Sequence, residues 1–119
     1  MNFDCFILNM IVEIKNDTCI IKTYTEYNFH ILSKEDQTGC VKFSNGDKAW
    51  YKEGKLHRED GPAIEFANGS KEWYKENKLH REDGPAVEYV NGNKEYWLNS
   101  RYLYYRDWYI IVNNLEKFK

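Results

Sequence analysis

Two consecutive stretches of this chain are near copies of one another, and that duplication constrains the fold more than any other feature. Residues 50–72 read WYKEGKLHREDGPAIEFANGSKE and residues 73–95 read WYKENKLHREDGPAVEYVNGNKE, identical at 18 of 23 positions. The exchanges are mild: Gly54 to Asn77, Ile64 to Val87, Phe66 to Tyr89, Ala67 to Val90 and Ser70 to Asn93. Residues 41–48 match the back half of an earlier unit, and 96–101 match the front half of a later one. A supersecondary unit repeated side by side buries its apolar face against its own copies and needs atypical ends to cap the array.

Each unit carries two turn signals. Asn-Gly, at 45–46, 68–69 and 91–92, predicts a two-residue type I′ hairpin, which needs positive φ at both central residues. In that register Ile64 faces Trp73, Phe66 lies on the same side, and Glu65 falls opposite Glu72, as Glu88 does opposite Glu95. Like charges so placed are destabilising unless lysines on flanking strands offset them. The second signal is Glu53-Gly54, recurring as Glu76-Asn77, where Gly and Asn tolerate positive φ. It sets Trp50 opposite His57 and Tyr51 opposite Leu56.

The expected fold is therefore all-β: a tandem β-hairpin meander of 23-residue units in one domain, residues 1–119. Residues 1–38 form an N-terminal β-hairpin cap, with strand-like runs from Phe6 to Lys15 and Thr18 to Tyr27 around Asn16-Asp17. Residues 39–101 hold the repeats, and 102–119 form a C-terminal cap. Trp108, Ile111, Val112, Leu115 and Phe118 fall at helical spacing there, with Asp107 as the expected N-cap of a short helix.

Composition narrows the function classes. The net charge is −2, and lysines adjoin glutamates at Lys52-Glu53, Lys71-Glu72, Lys75-Glu76 and Lys94-Glu95, which cancels the basic field that phosphate contacts require. Nucleic-acid binding is disfavoured. Cys5, Cys19 and Cys40 form no CxxC pair and leave an odd thiol, which reads as three reduced cysteines. The apolar stretch at 6–14 lacks a basic flank and a small-residue cleavage site, and no stretch is long enough to span a membrane. A cytoplasmic home is the expectation.

The unit resembles the MORN repeat, and within it a divergent MORN-like variant reading roughly W-Y-x-x-G-x-x-H-R-x-D-G-P-A. That variant occurs in large DNA viruses of amoebae, their virophages and some bacteria. The residues that carry the resemblance are Trp50-Tyr51, Gly54 and His57-Arg58-Glu59-Asp60-Gly61-Pro62-Ala63, with their partners 23 positions later. The likeness covers about residues 39–101. It implies hairpin arrays that mediate protein contacts or, in some members, lipid contacts, although His-Arg-Glu-Asp-Gly-Pro-Ala stands where the standard unit has Gly-x-Gly. An excess of Lys, Asn, Ile and Tyr over Arg and Ala fits an AT-rich genome and agrees with a viral source, in the host cytoplasm or in association with the virion.

The segment richest in chemistry is His57, Arg58, Asp60, Gly61 and Pro62, repeated as His80, Arg81, Asp83, Gly84 and Pro85. Read as a catalytic group, it is a His–Asp pair with arginine support, able to do acid–base work in a hydrolase. Read as a turn lock, Asp-Gly-Pro makes the turn, glycine supplies a special φ/ψ, proline directs the following strand, and His and Asp hold the loop by local hydrogen bonds. Duplication favours the lock, because an active site needs one asymmetric constellation whereas every unit must make the same turn. A metal bridging His57 and His80 fails on distance: equivalent positions lie two strands apart, about 9–10 Å, against metal–nitrogen bonds of about 2 Å. No cofactor or metal is expected.

The aromatic series Trp50, Trp73 and Tyr96, with Phe43, Phe66 and Tyr89, is expected to form core on one face. Tyr51, Tyr74 and Trp97 on the other are the candidate contact surface. Taken together these features predict a non-catalytic interaction or structural module, with a protein partner or a second copy docking on the aromatic face or an open edge. An inhibitor or antitoxin-like protein is the alternative.

Overall fold

The structure, a computed structural model, describes residues 12–15, 18–21, 23–24 and 37–115. Thirteen strands and one helix lie within these residues. The first hairpin joins β1 (Val12–Lys15) to β2 (Thr18–Ile21), with Lys15 opposite Thr18 as the Asn16-Asp17 signal predicts. The outer parts of the expected strand runs, from Phe6 and to Tyr27, and Phe118 of the expected helix lie outside the described residues. β3 (Thr23–Tyr24) pairs in parallel with β4 (Gly39–Phe43), the one parallel pairing among the described residues.

From β4 onward the chain alternates two kinds of hairpin. β5 (Lys48–Lys52) pairs with β4, with β7 (Ile64–Glu65), and at its far end with the short β6 (Lys55–Leu56). One unit later the strand equivalent to β5 is split by Trp73. β8 (Lys71–Glu72) stays in the main sheet between β7 and β11 (Val87–Glu88), and β9 (Tyr74–Lys75) pairs with β10 (Lys78–Leu79). The last such strand, β12 (Lys94–Leu98), pairs with β11 and with β13 (Arg101–Leu103). Trp50, Trp73 and Tyr96 thus stand where each strand leaves its sheet neighbour for its hairpin partner. All-β architecture with one short C-terminal helix is what the sequence led us to expect.

The Asn-Gly turn is not of the expected type. Gly46, Gly69 and Gly92 have positive φ (97°, 99° and 93°), but the asparagines before them do not. Gly69 N–H donates to Phe66 O at 2.9 Å and Phe66 N–H to Ser70 O at 2.9 Å, a three-residue loop closed by a left-handed glycine. The asparagine serves through its side chain: Asn68 Oδ1 accepts the Ser70 N–H at 2.8 Å, as Asn45 does for Asp47 and Asn91 for Asn93. The type I′ pattern, left-handed at both central residues, belongs to Glu53-Gly54, Glu76-Asn77 and Asn99-Ser100.

The longer loop moves the register by one residue, correcting the expected pairing. Ile64 faces Glu72 and Glu65 faces Lys71, and one unit on Val87 faces Glu95 and Glu88 faces Lys94. Glu65 also pairs with Lys48, and Glu88 with Lys71. The charges across the sheet therefore alternate, Lys48, Glu65, Lys71, Glu88, Lys94. The glutamate clash disappears and becomes cross-strand attraction. The second hairpin keeps its predicted register, with Tyr51 opposite Leu56 and the His57 N–H donating to Trp50 O at 3.0 Å.

Among the described residues the buried apolar set is small: Cys40, Val41, Ala49, Trp50, Ala63, Ala86, Val87 and Trp108. Cys40 is half of a disulfide, which corrects the reading of three reduced thiols; Cys5 and Cys19 are the chain's other cysteines, and their side chains lie outside the described set. β4 packs beside β1 and β2, a proximity that cysteine spacing alone does not reveal.

The helix α1 (Tyr105–Asn114) begins ahead of the expected cap. Tyr104 is the N-cap, extended at φ −68° and without a side-chain cap bond, and Asp107 sits in the first turn, where its carboxylate still meets the positive end of the helix dipole. The early start has a packing reason. Tyr105 and Trp108 lie three residues apart on one helical face and both contact the Tyr96 ring, at 5.1 and 4.8 Å between centroids.

Candidate functional site

The duplicated His-Arg-Glu-Asp-Gly-Pro segments follow β6 and β10, and in each the arginine is the organising side chain. Arg58 Nη1 donates to Pro62 O at 3.1 Å and to Glu65 Oε2 at 3.1 Å, while Nε faces Asp60 at 3.7 Å. Arg81 repeats this with Pro85 O at 3.1 Å, Glu88 Oε2 at 2.8 Å and Asp83 Oδ1 at 2.8 Å. Each guanidinium lies over the tryptophan that opens its unit, Arg58 Cζ at 3.8 Å from the Trp50 ring centre and Arg81 Cζ at 3.9 Å from that of Trp73.

This stacking explains the glycine and alanine of the motif. Neither Gly61 nor Gly84 has positive φ, so the special conformation expected of them is not their function. A Cβ on Gly61 would stand 2.9 Å from Arg58 Cζ, and one on Gly84 2.8 Å from Arg81 Cζ. The glycine makes room for the guanidinium. Ala63 and Ala86 are fully buried, and their carbonyls accept the backbone N–H groups of Trp50 and Trp73 at 2.7 and 2.8 Å.

The histidines reach forward instead of holding their own loop, as the turn-lock reading had it. His57 Nδ1 accepts the N–H of Glu76 at 3.1 Å, and His80 Nδ1 accepts the N–H of Asn99 at 3.1 Å. Both donors are the first central residue of the next type I′ turn. Leu56 O and Leu79 O take the N–H of the second, Asn77 and Ser100, at 2.9 Å each. Ahead of the first unit, Thr38 Oγ1 and Gln37 O do the same for Glu53 and Gly54. With Nδ1 accepting, the ring proton belongs on Nε2, which faces Glu59 Oε1 at 2.7 Å in the first motif and Glu82 at 3.9 Å in the second. The glutamate therefore lies beside the imidazole, and the aspartate beside the arginine. Hydrogen bonds from His57 and Lys75 hold the Glu59 carboxyl below the usual range. Burial pushes the His80 imidazole down, with Glu82 partly offsetting it.

Between the two loops lies a groove of about 670 Å³ lined by Arg58, Glu59, Asp60, Lys75, Glu82 and Asp83 among others. Its charges face one another in pairs, for example Lys75 Nζ to Glu59 Oε2 at 3.0 Å. Among the described residues no three His, Cys, Asp or Glu side chains gather as a metal site would need.

Sequence reasoning missed a further pair of side chains that bind one unit to the next. Asp47 Oδ1 accepts the Ala67 N–H at 2.8 Å, and Ser70 Oγ accepts the Val90 N–H at 3.0 Å. Their signal was a polar residue held at one position of the period (Asp47, Ser70, Asn93) while its identity changed. Trp108, read from the sequence only as part of the helix's apolar spacing, is 6 % exposed and covers Tyr96 where arginine covers Trp50 and Trp73, and its indole N–H donates to Arg81 O at 2.9 Å.

Tyr51, Tyr74 and Trp97, the expected contact residues, are half-buried. The Tyr74 hydroxyl donates to Glu72 at 2.8 Å, and the Trp97 indole donates to Glu95 at 2.9 Å and packs edge-on against Tyr102. The strongly exposed aromatics cluster later: Tyr102, Tyr104, Tyr105 and Tyr109, with Ile110 and Ile111 beside them. Among the described residues no helix is long and apolar enough to cross a membrane.

A scan against protein-family models, a search of curated proteins and a search of solved structures each returned no match to this chain.

Proposed function

We propose that this chain is a non-catalytic protein-interaction module built of MORN-like tandem hairpins. The observation that carries this reading is a division of labour. The polar side chains of the duplicated motif bond to one another and to the next unit's backbone, whereas large apolar groups stand exposed from β13 through α1, with Tyr104 between them at 74 %. Exposed clusters of aromatic and aliphatic side chains are the usual anchors of protein contacts. Self-association through this end is the simplest form of such a contact. Of the expected contact residues Trp97 adjoins this cluster through its ring contact with Tyr102, and Tyr51 and Tyr74 stand at the equivalent positions of the earlier units.

Light scattering across a concentration series, on the full chain and on a Tyr104→Ser, Ile110→Ser double variant, tests this. The wild type is expected to associate, and the variant to remain monomeric with unchanged unfolding. A wild type that stays monomeric at every concentration, and whose binding to other proteins is indifferent to the two substitutions, would refute it.

The Cys40 disulfide supports an oxidising setting, such as an extracellular space or a virion surface, over the cytoplasm expected from reduced thiols. A resemblance to viral repeat sequences is compatible with that setting.

A further inference from the structure

The three turn joints of this fold have the same backbone geometry but different acceptors. Thr38 Oγ1 serves the first, His57 Nδ1 the second and His80 Nδ1 the third. A threonine oxygen accepts a hydrogen bond at any pH. An imidazole Nδ1 accepts only while unprotonated, because the proton turns it into a donor facing another donor. Two of the joints therefore rest on an acceptor that a proton removes.

The two histidine joints are not equal. Around His57 stand Glu59, 2.7 Å from Nε2, and Glu76, whose carboxylate is 3.7 Å from Nδ1. Lys55 and Lys75 are paired with these same two glutamates. A proton on His57 Nδ1 thus has the Glu76 carboxylate as a new partner, so the imidazolium can stay bonded to the turn it holds. Asn77 adds a further link there, its Oδ1 accepting the Leu56 N–H at 2.7 Å.

The third joint lacks both supports. Asn99 stands where Glu76 stands, so no carboxylate faces His80 Nδ1 from the turn, and Ser100 replaces Asn77. Glu82 approaches only Nε2, at 3.9 Å. Lys75 opposes a positive ring, Arg101 lines the same cleft of about 390 Å³, and the cleft's other walls include Leu98, Leu103, Ile111 and Leu115. The ring itself is 14 % exposed.

We propose that the His80–Asn99 contact is an acid-labile joint whose protonation releases the Asn99-Ser100 turn, and with it the β12–β13 hairpin, while the two earlier joints stay closed. The lowered affinity of His80 for protons gives the same sign. A folded pKa below the unfolded value means stability is complete above the unfolded pKa, near 6.5, and is lost as pH falls below it. The release also reaches α1, because Trp108 donates to Arg81 O, one residue from His80. The inference holds whichever partner the chain binds.

The test is amide hydrogen exchange by NMR on the full chain at pH 7.5 and pH 5.0, corrected for intrinsic rates. Protection at Asn99 and Ser100 is expected to fall about tenfold at the lower pH, with Glu76 and Asn77 changing far less. His80→Asn keeps an acceptor oxygen near the Nδ1 position without a titrating group and should remove the pH dependence. Asn99→Glu, which supplies the missing carboxylate, should bring the third joint to the behaviour of the second. Equal protection at both pH values in the wild type, or a pH dependence that survives in His80→Asn, would overturn the proposal.

Discussion

The guanidinium of Arg58 lies 3.8 Å from the ring centre of Trp50, and the same side chain reaches Glu65 on β7 at 3.1 Å. One residue thus fastens the loop, the tryptophan behind it and the strand that follows. Trp50 is only 4 % exposed in a fold with little other core around it. A flat cation is a suitable lid because it stacks on the ring and still directs its N–H groups sideways to carbonyl and carboxylate acceptors. Lysine's compact ammonium lacks the planar fork that does both at once.

Replacing Arg58 with Lys is therefore expected to destabilise the protein by about 2 kcal/mol, through lost charge-assisted bonds and lost stacking. Arg81→Lys should do the same. Urea titration followed by tryptophan fluorescence reads both.

Gly61→Ala should act on the same clasp from the other side. Its methyl would press on the Arg58 guanidinium at 2.9 Å, and the expected loss is about 1–2 kcal/mol. Ala at Gly69 instead meets open van der Waals distance but a φ of +99°, so its cost, about 1 kcal/mol or more, comes from backbone strain. The Gly61→Ala, Arg58→Ala pair in a double-mutant cycle separates the two: coupling is expected for Gly61 and none for Gly69.

Ser70 is buried and holds the Val90 N–H. Ser70→Ala removes that acceptor and leaves a partly buried donor, for an expected loss of about 1–2 kcal/mol in thermal or chemical unfolding.

Burial and the neighbouring Glu72 carboxylate, to which its hydroxyl donates, push the Tyr74 phenol well above its ordinary value. A phenol whose folded pKa exceeds its unfolded value favours the folded state below about pH 10, and that contribution is lost as the pH rises further. Absorbance at 295 nm should show late tyrosine ionisation together with alkaline unfolding, and Tyr74→Phe should diminish that late step, to which Tyr89, raised by its bond to Glu95, also contributes.

A thiol titration under denaturing, non-reducing conditions should find one free cysteine per chain, not three, since Cys40 is oxidised. Reduction is expected to lower stability by about 2–4 kcal/mol, read by unfolding with and without dithiothreitol.

How far the fold could be read ahead of the structure differs between the two turns. The Glu53-Gly54 turn and the Tyr51–Leu56 register were legible, because a two-residue turn that tolerates left-handed φ leaves few alternatives. The Asn-Gly turn was misread by one residue. Asparagine there accepts a hydrogen bond through Oδ1 and leaves the left-handed conformation to glycine alone. The signal for the error was already visible: the shorter turn put Glu65 against Glu72, and the true register replaces that clash with Lys71.

The residues of the motif were legible in the sequence, but the partners they act on were not. His57 bonds a turn 19 residues away, and Arg58 covers a ring eight residues back while reaching a carboxylate seven residues ahead. Such partners are set by how neighbouring hairpins stack.

Sequence alone determined the period, the all-β class and the helix at the C-terminal end, since these follow from recurrence and local turn or helical preference. Tertiary structure alone decided which groups meet across units: His80 with Asn99, Ser70 with Val90, Trp108 over Tyr96, and the Cys40 disulfide. Local preference acts over a few residues of chain, whereas these contacts exist only once separate hairpins lie side by side, within reach of a hydrogen bond or a ring face.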